Sequence, residues 1–429
     1  MINRIIDFSA HNRMLIVMLT IGLTLYGLWS MRTIPLDAIP DLSDPQVIIY
    51  TKWPGRSPDL IEDQITYPII SAMLAAPHVR VVRGSSDYGF SYVYIVFEEG
   101  TDIYWGRTRV LEYMSKISGE LPEGVVPKLG PDATGVGWAF QYALIDKTGR
   151  NNLQQLRSFN DWYLRYWLES VPGVAEVATI GGFVKQYQVN VDPNRLLAYK
   201  VPLMQVMDAV RNGNSEVGAR SLEMTGKEYL VRGRGYIQSL ADIQNLAVAT
   251  GNNGTPIRVR DVARVELGPD MRRGIAELNG EGEVTGGTVI VRYGQNVRDV
   301  IEQVKGKVAE VKSSLPPGVE VVTTYDRSDL IDRSIDTLRH TLIEELLIVS
   351  LVILIFLWHV PSAIIPILTI PIAVILAFIP MNAIGVSANI MSLGGIAIAI
   401  GAMVDAAIVV VEQTHKKLEH WEAEGRQGS

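Results

Sequence analysis

The chain has 429 residues and no cysteine. Disulfides, a thiolate nucleophile and a cysteine metal site are therefore excluded. The thioethers of 13 methionines are the only sulfur present. Thioethers are soft ligands suited to Cu(I), although methionine more often serves as flexible packing. Basic residues are in deficit, 39 Lys and Arg against 46 Asp and Glu, for a net charge of -7. That balance gives no footing for nucleic acid. The lack of cysteine also suits an oxidising compartment outside the cytoplasm.

Charge of either sign is missing from several long runs. Met14 to Met31 carries none, and neither does Pro361 to about Val386. The proline content of the latter suits a membrane helix, where neighbouring helices satisfy the freed carbonyls. Leu346 to Val360 is equally apolar, and its helix is expected to start near Leu338. Asn389 to Val411 is 23 residues long, enough at ~1.5 Å per residue to cross a ~30 Å hydrocarbon core. Asp405 is its one ionisable residue. A charge at that depth costs at least ~2.5–3.5 kcal/mol, so a lone carboxylate there is a functional candidate. The competing reading, a short globular core helix with a satisfied Asp, fits poorly beside three sister runs.

These runs predict four spans, at 14–31, 338–360, 361–386 and 387–412. Arg4 and Arg13 precede the first, and His415, Lys416 and Lys417 follow the last. Both termini, 1–13 and 413–429, are then expected to be cytoplasmic. The first run lacks a small-x-small cleavage site and reads as an anchor rather than a signal peptide. The last span is rich in small residues, and Gly395/Ala399, Ala397/Gly401 and Ala402/Ala406 have the spacing of close helix contacts. Asp405 is therefore expected to face a bundle interior. Glu412 lies two turns on, on nearly the same face, or is an ordinary residue of the span end. The runs hold no Lys or Arg, so Asp405 is neutral or is paired from outside them.

The region between the first two spans reads as α/β. A strand at Gln46–Lys52 is followed by a helix at Pro58–Ala75 with Ser57 as its cap. Strands at His78–Gly84 and Phe90–Glu98 and a helix at Asp102–Ser118 complete a split βαβ pattern. The pattern recurs. Gly100 and Leu121-Pro122-Glu123-Gly124-Val125 have counterparts at Gly294 and Leu315-Pro316-Pro317-Gly318-Val319, both at an offset of 194. Two related subdomains follow from this, unless a common turn has recurred by chance. Between them, Ile180–Asp192 reads as a hairpin and Val201–Asn212 as a helix, within an insertion at about 180–272. Trp162, Tyr163, Tyr166 and Trp167 read as core packing rather than a ligand platform.

Long motifs then point to a family. Pro40–Ile49 (PDLSDPQVII), Leu129–Trp138 (LGPDATGVGW), Met271–Gly282 (MRRGIAELNGEG) and the Asp405 segment resemble resistance-nodulation-division (RND) efflux pumps. They are closest to the heavy-metal subgroup, nearer its copper/silver branch than its divalent branch. The resemblance covers essentially the whole chain. It implies a membrane α-helical bundle with periplasmic α+β porter subdomains of split βαβ type, at 32–133 and 134–337, the second carrying a docking subdomain. It also implies a secondary active transporter, a proton antiporter rather than an enzyme, in the bacterial inner membrane. Such a pump is a homotrimer embedded in membrane lipid, joined to a periplasmic adaptor protein and an outer-membrane channel, with no nucleic acid and no cofactor. Asp405 matches the acidic residue of the family's proton relay. Met271, Met391 and Met403 match a methionine path for Cu(I) or Ag(I), though packing explains each equally well. Val410 stands where the branch can carry another Met.

Such pumps have twelve spans in two homologous halves. The chain is thus expected to represent the N-terminal half, with the main metal site and relay partners elsewhere. It should insert in a membrane and not transport by itself. The alternatives are an RND pump for divalent metals or organic solutes, and a membrane-anchored binding module. The module has no use for an intramembrane Asp.

Overall fold

A computed structural model describes residues 6, 8, 9, 11–251, 254–272, 274–357 and 360–423. The side chains of some residues within its helices, Asp405 among them, lie outside the description. So do Arg4, Arg273 and parts of both expected cytoplasmic termini.

Helix α1 spans Arg13–Thr33. The Thr20 and Thr24 hydroxyls donate to the carbonyls of Ile16 and Thr20 at 2.9 and 2.7 Å, which satisfies them without water. The helix stops at Ile34, whose extended ψ of 133° is imposed by the following Pro35.

The first sheet is built from β1 (Gln46–Lys52), β2 (Val79–Asp87), β3 (Phe90–Phe97) and the short β4 (Lys128–Leu129). Alternate residues of β1, Val47, Ile49 and Thr51, are buried, as period-two patterning requires. Helix α2 runs through Pro58–Ile61, a π-turn over Glu62–Thr66 and Tyr67–Met73. Helix α3 (Ile103–Ile117) is capped by the Asp102 carboxylate, which accepts the Trp105 N–H at 2.7 Å. Ile61, Ile65 and Ile69 of α2 and Val110 of α3 seal one face of the sheet.

The second sheet starts with β5 (Trp138–Asp146). Helix α4 follows through Leu153–Phe159, a π-turn over Asn160–Leu164 and Arg165–Glu169. Next comes β6 (Val174–Gly181), and then β7 (Lys185–Val191), α5 (Pro193–Tyr199), α6 (Leu203–Asn212), β8 (Val217–Met224), β9 (Lys227–Gly233), α7 (Leu240–Asn245), β10 (Ala247–Thr250), β11 (Pro256–Arg258), α8 (Val259–Val262) and β12 (Ala263–Pro269). Strand β13 (Thr285–Val291), α9 (Val297–Val311) and β14 (Val319–Asp326) complete the region.

The strand orders are β2-β3-β1-β4 and, read from its far edge, β6-β13-β5-β14. Each strand of the first sheet thus has a counterpart in the second. Helices α3 and α9 are both 15 residues long, and their bounds move from 103 to 297 and from 117 to 311. The offset of 194 read from the turns is therefore an offset of whole elements.

The chain forms two compact units, Met1–Ala143 with Leu164–Ala178 and Gly287–Ser429, and Leu144–Tyr163 with Thr179–Gly286. In the latter, β7 pairs antiparallel with β12 over seven residues. The hairpin expected over Ile180–Asp192 does not form. Strand β6 lies beside β13 instead, and Gly181 and Gly182, at φ of +69° and +65°, turn the chain away from a hairpin path.

The expectation for the aromatic cluster is also corrected. Leu156, Asn160, Leu164 and Leu168, four residues apart, form the buried stripe of α4. Trp162, Tyr166 and Trp167 lie off that stripe and are exposed, Trp162 by 75%. The Lys307 ammonium sits 4.7 Å from the Trp167 ring centroid.

Three further helices are α10 (Arg327–Leu357), α11 (Val360–Ala383) and α12 (Ile390–Ala423). Among the described residues, α1 and α12 are long and apolar enough to cross a membrane, and Leu368–Ala383 is a shorter apolar stretch. Charged residues extend well into α10, as far as Arg339, Glu344 and Glu345. Helix α1 approaches α11 closely at Gly27, where a Cβ would lie 2.7 Å from the Ile375 carbonyl oxygen. Ile34, Ile370, Val374, Phe378, Leu393 and Ile400 join the end of α1 to α11 and α12.

Candidate functional site

Helix α12 has two dissimilar faces. Leu393, Ile396 and Ile400 are buried, and Met403 packs partly buried against their cluster. On the other side Gly394, Gly395 and Gly401 have no described heavy atom within 4 Å of where a Cβ would stand. The small residues expected to mediate packing are therefore open to a neighbour. Met391, Ile398, Asp405 and Glu412 recur every seven residues, which keeps them within about 20° per step on one face. Met391 is 67% and Ile398 81% exposed. Glu412 accepts from Lys416 at 2.5 Å. Asp405 belongs to this stripe by its place on the helix.

Met391 and Met403 share α12 but stand roughly 18 Å apart along it, at about 1.5 Å per residue, and on different faces. Met271 lies in the other compact unit, just after β12 and 63% exposed. Its neighbour Arg272 pairs with Glu283 at 2.7 Å and lies over the Phe183 ring. Among the described residues, no three of His, Asp and Glu gather where they could hold a metal ion.

Two of the sequence motifs meet in space. The Thr134 hydroxyl donates to the Asp41 carboxylate at 2.5 Å. Asp132 accepts from the Tyr104 hydroxyl at 3.2 Å and faces Arg292 at 3.6 Å. PDLSDPQVII and LGPDATGVGW thus brace the passage from the first sheet to the second.

A buried ion pair, which sequence reasoning missed, lies where the helices leave the sheets. Arg327, 4% exposed, places Nη1 3.3 Å from both Asp37 carboxylate oxygens and donates from Nη2 to the Trp138 carbonyl at 3.1 Å. Burial pushes the Asp37 carboxyl above its ordinary range, and Arg327 and the Ala38 N–H partly offset that. The partners are 290 residues apart, so pairing leaves no local trace. The one available signal is that each follows or precedes an apolar run.

Asp326 behaves in the opposite sense. Burial works to raise its carboxyl, but Lys305 and the Ser328 hydroxyl and N–H outweigh it and hold the group below its ordinary 3.8. A depressed folded-state value contributes stability that is present above the unfolded value and is lost as pH falls through the folded one. Thermal unfolding of the chain between pH 5 and pH 2 should therefore show a steeper acid loss in the native protein than in Asp326→Asn. Parallel curves for the two would refute this.

The duplicated split βαβ sheets define an α+β protein that also carries, among the described residues, two helices long and apolar enough to cross a membrane. The chain belongs to the AcrB/AcrD/AcrF family, whose sequence profile matches residues 5–428. It is 54% identical over 422 residues to the cation efflux system protein CusA of Escherichia coli K12, covering 98% of this chain and 40% of that protein. It is 39% identical over 427 residues to the cobalt-zinc-cadmium resistance protein CzcA of Cupriavidus metallidurans, with coverage of 98% and 40%. The crystal structure of a heavy metal efflux pump (crystal form II) superposes with a TM-score of 0.86 at 32% identity, covering 97% of this chain and 41% of that one. The chain thus spans about 40% of the length of these curated relatives.

Proposed function

We propose that the chain forms the N-terminal portion of a proton-driven RND pump that exports monovalent heavy-metal ions, Cu(I) and Ag(I). In this reading α1, α10, α11 and α12 cross the bacterial inner membrane as four spans. The two sheets stand in the periplasm as porter subdomains, and the insertion between β6 and β13 docks the outer-membrane channel. The pump is a homotrimer that works with a periplasmic adaptor. Whole-pump activity belongs to the assembled protein, since the chain spans about 40% of its relatives.

The observation that carries the reading is the gradient of identity over nearly the whole chain. It is 54% to CusA, 39% to CzcA and 34% to the nickel and cobalt resistance protein CnrA of C. metallidurans. The absence of cysteine and the soft thioethers support a monovalent cargo. Asp405 supplies the titratable group: it takes up a proton from the outer side and releases it inward as α12 changes its surroundings. Met271, Met391 and Met403 offer thioether sulfurs to the moving ion.

Metal selectivity tests the assignment. The complete reading frame that encodes the chain, expressed in a strain stripped of its own metal exporters, should raise tolerance to silver and copper and leave zinc and cobalt tolerance unchanged. A rise for zinc without one for silver would show a divalent pump, and a rise for organic solutes alone a drug exporter.

A further inference from the structure

Four elements converge on Asp37. It lies just beyond the end of α1, in the segment that leads to the first sheet. Its N–H donates to the Ala388 carbonyl at 3.1 Å; the Ala388 N–H donates to Pro35 at 3.0 Å and the Ile390 N–H to Ala38 at 3.2 Å. Leu36 and Ala388 thereby form a parallel bridge. Asn389 then caps α12, its side-chain oxygen accepting the Met391 and Ser392 N–H groups at 3.0 Å. The carboxylate of Asp37 faces Arg327, which opens α10 directly after Asp326, the last residue of β14. The same guanidinium holds the carbonyl of Trp138, the first residue of β5. Helix α10 is fastened in turn to α9 by Lys305, which donates to the Ser328 hydroxyl at 2.9 Å and also pairs with Asp326 at the end of β14, and by Arg298 on Asp332 at 2.7 Å.

We propose that the Asp37–Arg327 pair is a positioning clasp: it fixes the start of α12, and so the register of the Asp405 stripe, against the end of α1 and the β5–β14 edge of the second sheet. A buried ion pair is a poor device for stability alone, because an apolar pair of similar volume does as well or better. Among the described residues the Arg327 Nε has no hydrogen-bond partner, so the group is not saturated for maximal stability either. What the pair provides is directionality. A guanidinium fork fixes two acceptors in one plane, here a carboxylate on the α1–α12 side and a carbonyl on the sheet. No linker separates β14 from α10, so a displacement of the sheet edge moves Arg327 with it. Asp37 then carries the end of α1 and the start of α12. The clasp stands on this geometry, and its service to proton coupling rests on the efflux reading above.

The absence of cysteine makes a direct test available. Bridge partners lie roughly 5 Å apart, within disulfide reach, so Leu36→Cys with Ala388→Cys in the full chain in membranes gives a reporter of the joint. Oxidation should crosslink the pair rapidly in the otherwise native chain. Arg327→Gln and Asp37→Asn should each slow crosslinking about tenfold or more, since each leaves a buried charge without its partner. The exchanged pair, Asp37→Arg with Arg327→Asp, should recover much of the rate. Limited proteolysis of the same membranes reports insertion separately, and loss of general packing would not be reversed by exchanging the charges. If Arg327→Gln does not insert, Arg327→Lys decides: it keeps the charge but cannot grip both acceptors in one plane, so crosslinking must slow. Native crosslinking in an inserted Arg327→Gln or in Arg327→Lys, or no recovery in an inserted exchange variant, overturns the clasp. No transport is measured, so this result and that of the metal-tolerance assay fail or succeed independently.

Discussion

Asp405→Asn in the assembled pump should leave insertion and oligomerisation intact and abolish metal export. Asn keeps the shape and polarity of the side chain and removes the titratable proton. On the proton-driven reading proposed above, the cycle then loses the one titratable group that α12 carries between Ile390 and Val411. The expectation rests on the position: the sole ionisable residue between Ile390 and Val411 of α12, where an acid costs at least ~2.5–3.5 kcal/mol if charged and persists only for a reason. Asp405→Glu, which keeps the proton, should retain part of the activity. Silver tolerance of cells carrying each variant at matched expression gives the answer, and native tolerance with Asp405→Asn would remove the residue from the proton path.

Gly181→Ala should be among the most damaging single changes in the α/β region. At φ +69° an alanine is in the left-handed region, which costs roughly 1–2 kcal/mol. Its Cβ would also stand 2.3 Å from the Val284 carbonyl oxygen and 2.6 Å from the Ala276 Cβ. Backbone cannot yield as a side-chain tip does, and overpacking of this kind adds about 1–3 kcal/mol. Arg157 locks the turn further by donating to the Gly181 carbonyl at 2.6 Å. The combined loss corresponds to a fall in Tm on the order of 10 °C. Gly149, with φ +66° and open space around it, supplies the control: alanine there should show the backbone penalty alone. Equal melting of the Gly181 and Gly149 variants would contradict the packing argument.

Much of the α/β region was legible because its signals are local. β1 coincides with the strand expected at Gln46–Lys52, and α3 differs from its expected helix by a residue at each end. Period-two alternation and a capping Asp are written within a few residues of what they specify. The repeat was legible because turn chemistry recurs at a fixed spacing. Register and partner choice were not. Whether β7 pairs with β6 or with β12 depends on two glycines and on a strand some eighty residues away. The aromatic stretch was misjudged because a π-turn advances the helix by one residue, which moves Leu164 and Leu168 inward and Trp162 and Trp167 outward. On α12, small residues were legible as a packing face, but among the described residues a close helix approach is made at Gly27 of α1, while Gly394, Gly395 and Gly401 stand in open space. The Asp37–Arg327 pair is legible only after folding, since nothing in either neighbourhood names the other.

The place of the long insertion has a further consequence. It leaves the second sheet at the end of β6 and returns at the start of β13, and these strands are neighbours. Gly181 and Val284 touch, so departure and return share one doorway. The entropic penalty of a loop depends on how far its ends must be drawn together and only weakly on its length, and here the sheet has already joined them. Whatever is spliced in at that doorway can grow, shrink or be exchanged wholesale while the four strands keep their order.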